Sequence, residues 1–170
     1  MSLGANGSEI DAVIGLGSNL GDRRALLAGA VRSLREAARV LGVSALYETL
    51  PLGPEQPHFL NAAVRIATGE TPECLLERLL GIERMAGRVR RERWGPRVLD
   101  LDLLWIRGLV VATPSLEVPH PELLGRAFAL VPLLDVAPEA TDPRTGRRYA
   151  DIARELGRAG VERSADQLDL

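Results

Sequence analysis

The chain has 170 residues, 46% of them hydrophobic, and a formal net charge of −2; that allows one domain with a sizeable core and excludes a disordered chain or a surface given over to nucleic acid. All 21 basic residues are arginines, which excludes Schiff-base chemistry on lysine and a P-loop, so any phosphate bound here is held by guanidinium forks. The single cysteine, Cys74, excludes an internal disulfide and fits a reducing, cytoplasmic setting.

No run approaches the roughly 20 apolar residues of a membrane span, so no membrane partner is expected. Met1 to Glu9 lacks the basic and apolar regions of a signal peptide. The expected layout is a lead-in at 1–9, a single domain at 10–158 and a tail at 159–170.

In chain order, Ile10 to Leu16 predicts a buried strand. Asp22 offers an N-cap, and Leu27, Val31, Leu34, Ala38 and Leu41 recur at helical spacing until Gly42. Val43 to Thr49 predicts a second strand, the three prolines of 51–57 a loop, and Ala62 to Thr68 a third strand. Thr71-Pro72-Glu73 opens a helix that ends near Gly87 and carries Cys74, expected as a core thiol. An arginine-rich loop, Arg88 to Arg97, leads into a fourth strand, Val98 to Ile106. Short strands near Leu109 to Val111 and before Pro119 are expected, then helices over Arg126 to Val136 and Tyr149 to Leu156. The order β-α-β-β-α-β fits an α+β, ferredoxin-like core, an antiparallel sheet with helices packed on it, plus C-terminal extra strands and helices.

In the fourth strand, Asp100 and Asp102 share one face and Leu99, Leu101 and Leu103 the other, because strand side chains alternate. Two such carboxylates can grip Mg²⁺, or they can form an acidic solvent face. Arg88, Arg90, Arg91, Arg93 and Arg97 immediately precede them. Carboxylates alone repel a polyphosphate, whereas carboxylates holding metal beside arginines clamp one. The other readings of that run are a solvated loop or a nucleic-acid patch with Trp94 as a stacking platform.

The segment Gly15 to Gly21 has the spacing G-x-G-x-x-x-G, one residue too long for a dinucleotide fingerprint, and reads as a tight strand-to-helix connection. Asn61, disfavoured in a strand, suits either the donor–acceptor edge of a heterocycle, with Phe59 and Trp94 stacked on its faces, or a nearby turn. His120 lies between two prolines. Arg126 opens a helix, against the dipole, which suggests a phosphate contact.

Taken together, Gly15 to Gly21, Tyr47 to Asn61, Gly87 to Asp102 and Val118 to Phe128 resemble the 6-hydroxymethyl-7,8-dihydropterin pyrophosphokinases of folate biosynthesis, most specifically in Arg93-Trp94-Gly95-Pro96-Arg97-Val98-Leu99-Asp100-Leu101-Asp102. The resemblance implies ATP as co-substrate, two Mg²⁺ ions held by Asp100 and Asp102, and catalytic roles for Arg88 and Arg97. It implies a pterin pocket of Thr49, Leu52, Phe59, Asn61, Trp94 and Phe128. Glu83, Arg88, Arg90, Arg93, Arg97, His120 and Arg126 would bind ATP. The implied partners are these small molecules and not nucleic acid, and the chain is expected to act as a monomer.

Overall fold

The computed structural model describes residues 7–50, 53, 55–87 and 96–170. Strand β1 (Ile10–Ser18) runs into helix α1 (Arg23–Ala37), whose Asp22 cap accepts the Ala25 N–H at 3.1 Å. Strands β2 (Arg39–Val43), β3 (Tyr47–Thr49) and β4 (Phe59–Thr68) follow. Helix α2 (Pro72–Met85) is capped by Thr71, which accepts the Cys74 N–H at 3.1 Å. Then come β5 (Asp100–Ile106), β6 (Val111–Ala112), β7 (Glu117–Val118), α3 (Ala127–Val136), α4 (Tyr149–Leu156) and β8 (Val161–Arg163).

The main sheet is antiparallel, in the order β5-β1-β4-β3-β8, with β2 also paired to β4; β6 and β7 form a separate pair. Each face has its own core. Ile14, Leu16, Val64 and Leu101 pack with Leu27, Leu34, Leu75 and Leu79 of α1 and α2. On the opposite face Val13, Ala63 and Trp105 pack with Leu130 and Leu133 of α3 and Tyr149 of α4. Burial of this apolar surface, at about 25 cal/mol per Å², holds the layers together.

Three expectations need correction. Helix α1 ends at Ala37 rather than Gly42, because residues 39–43 pair with the open edge of β4 and leave Leu41 exposed. The single strand expected over Val43 to Thr49 is two strands, interrupted at Ser44, whose hydroxyl accepts the Ala63 N–H at 2.8 Å. Cys74 is exposed on α2, whose buried positions are Leu75, Leu79 and Glu83. Within 159–170, β8 pairs with β3 and extends the sheet.

Candidate active site

Seen from the α3 side, β1 presents Gly15 and Gly17 where its neighbours carry side chains. With β4, β5 and α3 they border an open cavity of about 310 Å³. A Cβ on Gly17 would lie 2.8 Å from Asn61 Oδ1, and one on Gly15 3.0 Å from a Leu104 methyl. Asn61 and Leu104 therefore leave little room for a side chain at either glycine, and both positions line the cavity. They were legible only as a turn motif, although glycines at period two in a strand are the usual mark of close approach.

One end of the cavity is acidic and basic together. Asp100 and Asp102 pair with Gly17 and Gly15 on β1, and Leu99, Leu101 and Leu103 are buried in the opposite core, as the alternation predicts. Arg97 Nη1 lies 3.1 Å from Asp100 Oδ1. Burial, then the charge of Asp100, pushes the Asp102 carboxyl up to about 7, against the pull of Arg126 and Arg97. The Asp102 side chain is 36% exposed, but it borders the cavity, where surrounding protein restricts solvation more than the open surface does.

His120 is placed by a bulge. The β1–β5 register shifts between Val13 and Ile14, and the carbonyl of Leu104, at that irregularity, accepts the His120 N–H at 2.9 Å. The imidazole Nδ1 accepts the Glu122 N–H at 3.2 Å, which assigns the proton to Nε2. Nε2 faces Asp102 Oδ1 at 4.0 Å. Burial and the charge of Arg126 push the histidine down, so this is a neutral donor beside a carboxylate rather than an ion pair. Arg126 caps α3, pairs with Glu122, and sits 5.5 Å from the Phe128 ring centroid.

The other end is aromatic and amide-lined. Phe59, Asn61, Thr49 and Phe128 all border the cavity. Asn61 is 7% exposed, and its Nδ2 donates to Thr49 Oγ1 at 2.6 Å.

Of the other expected site residues, Glu83 is buried and its Oε2 accepts the Leu101 N–H at 2.9 Å; it is not among the residues bordering the cavity. Leu52, Arg88, Arg90, Arg93 and Trp94 lie outside the described residues.

One organising residue is not among those the sequence singles out. Asn19, 2% exposed, donates through Nδ2 to Gln56 Oε1 at 2.8 Å and to the Pro57 carbonyl at 2.9 Å. Its Oδ1 accepts the Arg97 N–H at 2.8 Å. It thus joins the proline-rich segment to the segment that leads into β5. An asparagine directly after Gly-Ser at a strand end was the available signal.

Among the described residues no group of three or more His, Cys, Asp or Glu is arranged around a common metal position. The Asp pair nevertheless fits magnesium, which takes one or two protein carboxylates and fills its remaining positions with phosphate and water. Two crowded acids beside a buried one, with arginine and histidine N–H groups around them, form a donor set that a divalent cation would relieve.

An antiparallel sheet with helices on both faces makes this an α+β protein, and its cavity combines acidic, basic and aromatic side chains. The family model for 7,8-dihydro-6-hydroxymethylpterin-pyrophosphokinase (HPPK) matches residues 13–138. A 2-amino-4-hydroxy-6-hydroxymethyldihydropteridine pyrophosphokinase of Methylorubrum extorquens is 46% identical over 155 residues, 89% of this chain and 97% of that one. The enzyme of the same name from Bacillus subtilis is 42% identical, covering 89% of this chain and 93% of its own. The chain belongs to the HPPK family. In fold it is similar to a Plasmodium falciparum HPPK-DHPS crystal structure, with a TM-score of 0.74 at 13% identity over 94% of this chain. The chain spans about half of that longer one, 48%.

Proposed function

We propose that the chain transfers the β,γ-pyrophosphoryl unit of ATP to 6-hydroxymethyl-7,8-dihydropterin, a step of tetrahydrofolate biosynthesis. The pterin hydroxymethyl oxygen forms a bond to the β-phosphorus as the bond from that phosphorus to the α–β bridging oxygen breaks. AMP leaves with that oxygen, and the hydroxyl proton passes to solvent. The observation that carries this reading is one cavity with Asp100, Asp102, Arg97, His120 and Arg126 at one end and Asn61, Thr49, Phe59 and Phe128 at the other.

Asp100 and Asp102 would hold two Mg²⁺ ions, which when bound supply neutralisation of the transferring and leaving oxygens. Arg97 and Arg126 add fixed positive charge, and His120 presents an Nε2–H to a phosphate oxygen. Asn61 is held by Thr49 to read the amide edge of the pterin, between the rings of Phe59 and Phe128. Arg88 is assigned to catalysis with Arg97, Arg90 and Arg93 to ATP, and Leu52 and Trp94 to the pterin, on the family resemblance.

We read β1-α1-(β2, β3)-β4-α2-β5 as a ferredoxin-like core, within a domain over residues 10–158 to which 159–170 are appended. The protein is read as a cytoplasmic monomer. No helix among the described residues is long and apolar enough to cross a membrane.

Incubation with MgATP and the reduced pterin, followed by identification of the nucleotide released, tests the reaction. AMP formed in step with pterin diphosphate supports it, and ADP refutes the pyrophosphoryl transfer. Undiminished turnover in the Asp100→Asn/Asp102→Asn double variant refutes the assigned centre.

A further inference from the structure

Strand β5 ends the sheet order: β1 pairs along one side of it, and no described strand pairs along the other. β1 pairs with the backbone of both aspartates and of Leu101 between them, and no described strand meets the outward side of that stretch. A side chain meets it there. The Leu101 N–H donates to Glu83 Oε2 at 2.9 Å, in a fully buried bond.

Glu83 is 3% exposed, on the same stripe of α2 as the core residues Leu75 and Leu79. A buried carboxylate is a costly choice for that stripe, where leucine would pack at no electrostatic penalty. The cost is compounded here because the Glu83 charge also raises the proton affinity of Asp102. Among its contacts is the backbone amide that lies between the two carboxylates of β5.

We infer that Glu83 is a positioning residue for the divalent-metal pair: through the Leu101 amide it pins β5 so that Asp100 and Asp102 converge, without itself touching nucleotide or metal. This rests on the reading of Asp100 and Asp102 as the metal-holding pair. A charge-assisted bond to a buried amide resists displacement better than water or a neutral acceptor. An unpinned edge strand can fray, and metal binding must then restore the order that Glu83 now provides beforehand.

The test compares Glu83→Gln, which keeps an acceptor oxygen, with Glu83→Leu, which keeps the volume and removes the acceptor. Binding of Mn²⁺ is followed by electron paramagnetic resonance with a non-hydrolysable ATP analogue present, and exchange of the Leu101 amide proton by NMR. Wild type should protect Leu101 and bind Mn²⁺. Glu83→Gln should keep both, with affinity within about threefold. Glu83→Leu should lose Leu101 protection and bind Mn²⁺ about tenfold more weakly, the scale set by one buried amide left unpaired. Its affinity for the nucleotide without metal should not change. Leu79→Ala, which loosens the same helix face and leaves the bond intact, should keep wild-type Mn²⁺ affinity.

Equal Mn²⁺ affinity in wild type and Glu83→Leu overturns the inference. So does equal loss in Gln and Leu variants, which would make charge and not the hydrogen bond the cause, and so does weakened metal-free nucleotide binding. Should Glu83→Leu not fold, Glu83→Gln decides: retained Leu101 protection with retained affinity supports the inference, and loss of either overturns it. A wild type that binds no Mn²⁺ with the analogue refutes the metal site itself, a result distinct from all of these.

Discussion

Asn19 and Arg97 hold each other twice, the Asn19 N–H donating to the Arg97 carbonyl at 3.1 Å and the Arg97 N–H to Asn19 Oδ1 at 2.8 Å. Since Asn19 also bonds Gln56 and Pro57, one buried residue ties the proline-rich segment to the segment that carries Arg97 into the acidic and basic end of the cavity. Asn19→Ala should cut kcat/KM for both substrates at least tenfold, because reacting groups displaced by about 1 Å lose that much or more. Steady-state kinetics measure this, with far-ultraviolet circular dichroism confirming an unchanged fold. A loss confined to one substrate would contradict the bridging role.

Gly17 faces Asn61 closely enough that any side chain must move the amide. Gly17→Ala should therefore raise KM for the pterin about tenfold or more and leave KM for ATP within about threefold. The basis is that an unpaired or misplaced buried amide costs about 1–3 kcal/mol. Equal effects on both constants would place the pterin elsewhere.

The crowding of Asp102 predicts a cost in the metal-free protein. Its carboxyl is raised from an unfolded value near 3.9 to about 7, so ionisation opposes folding: stability falls as pH rises from about 4 to 7. Asp102→Asn should stabilise the metal-free protein at pH 8 by about 1–2 kcal/mol, a figure discounted for the partial exposure of the group. Thermal unfolding with a chelator present should show the gain vanish near pH 4. A variant less stable than wild type at pH 8 would refute the repulsion, and the same variant should lose activity.

Far from the cavity, Arg65 grips Asp11 bidentately at 2.8 and 2.7 Å, Arg107 adds a bond at 2.9 Å, and Arg65 also reaches Glu139. These contacts, the Arg65 hydrogen bond foremost, hold the Asp11 carboxyl below its ordinary value. Its stabilisation is present above about pH 4, the unfolded range, and is lost as pH falls through the lower folded value. Arg65→Ala should cost about 2 kcal/mol at pH 7. That difference should shrink in urea unfolding curves taken at progressively lower pH below 4. A constant difference would show that packing rather than charge is responsible.

What the sequence disclosed follows from how local each cause is. Thr71-Pro72 announced α2, and the alternation from Leu99 to Leu103 announced both the core face and the acid face of β5, since each needs only neighbours in the chain. Helix α1 stops short of Gly42 because residues 39–43 answer to the open edge of β4, a partner more than twenty residues away. Phe59, Asn61, Asp100 and Asp102 could be named one by one. Their meeting over Gly15 and Gly17, the work of Asn19, and the seating of His120 on the Leu104 carbonyl depend on pairings between distant strands, which no local pattern encodes.

On β5, leucine and aspartate alternate between an oily layer and a solvated hollow, and this has a consequence for how the molecule can fail. A slip of one position would drive two acids into hydrocarbon and strand Leu101 and Leu103 in the hollow. No comfortable misfolded form with a scrambled centre is available to this strand. A molecule that settles at all settles with its chemistry assembled, so the yield of folded protein and the yield of active protein should be nearly the same number.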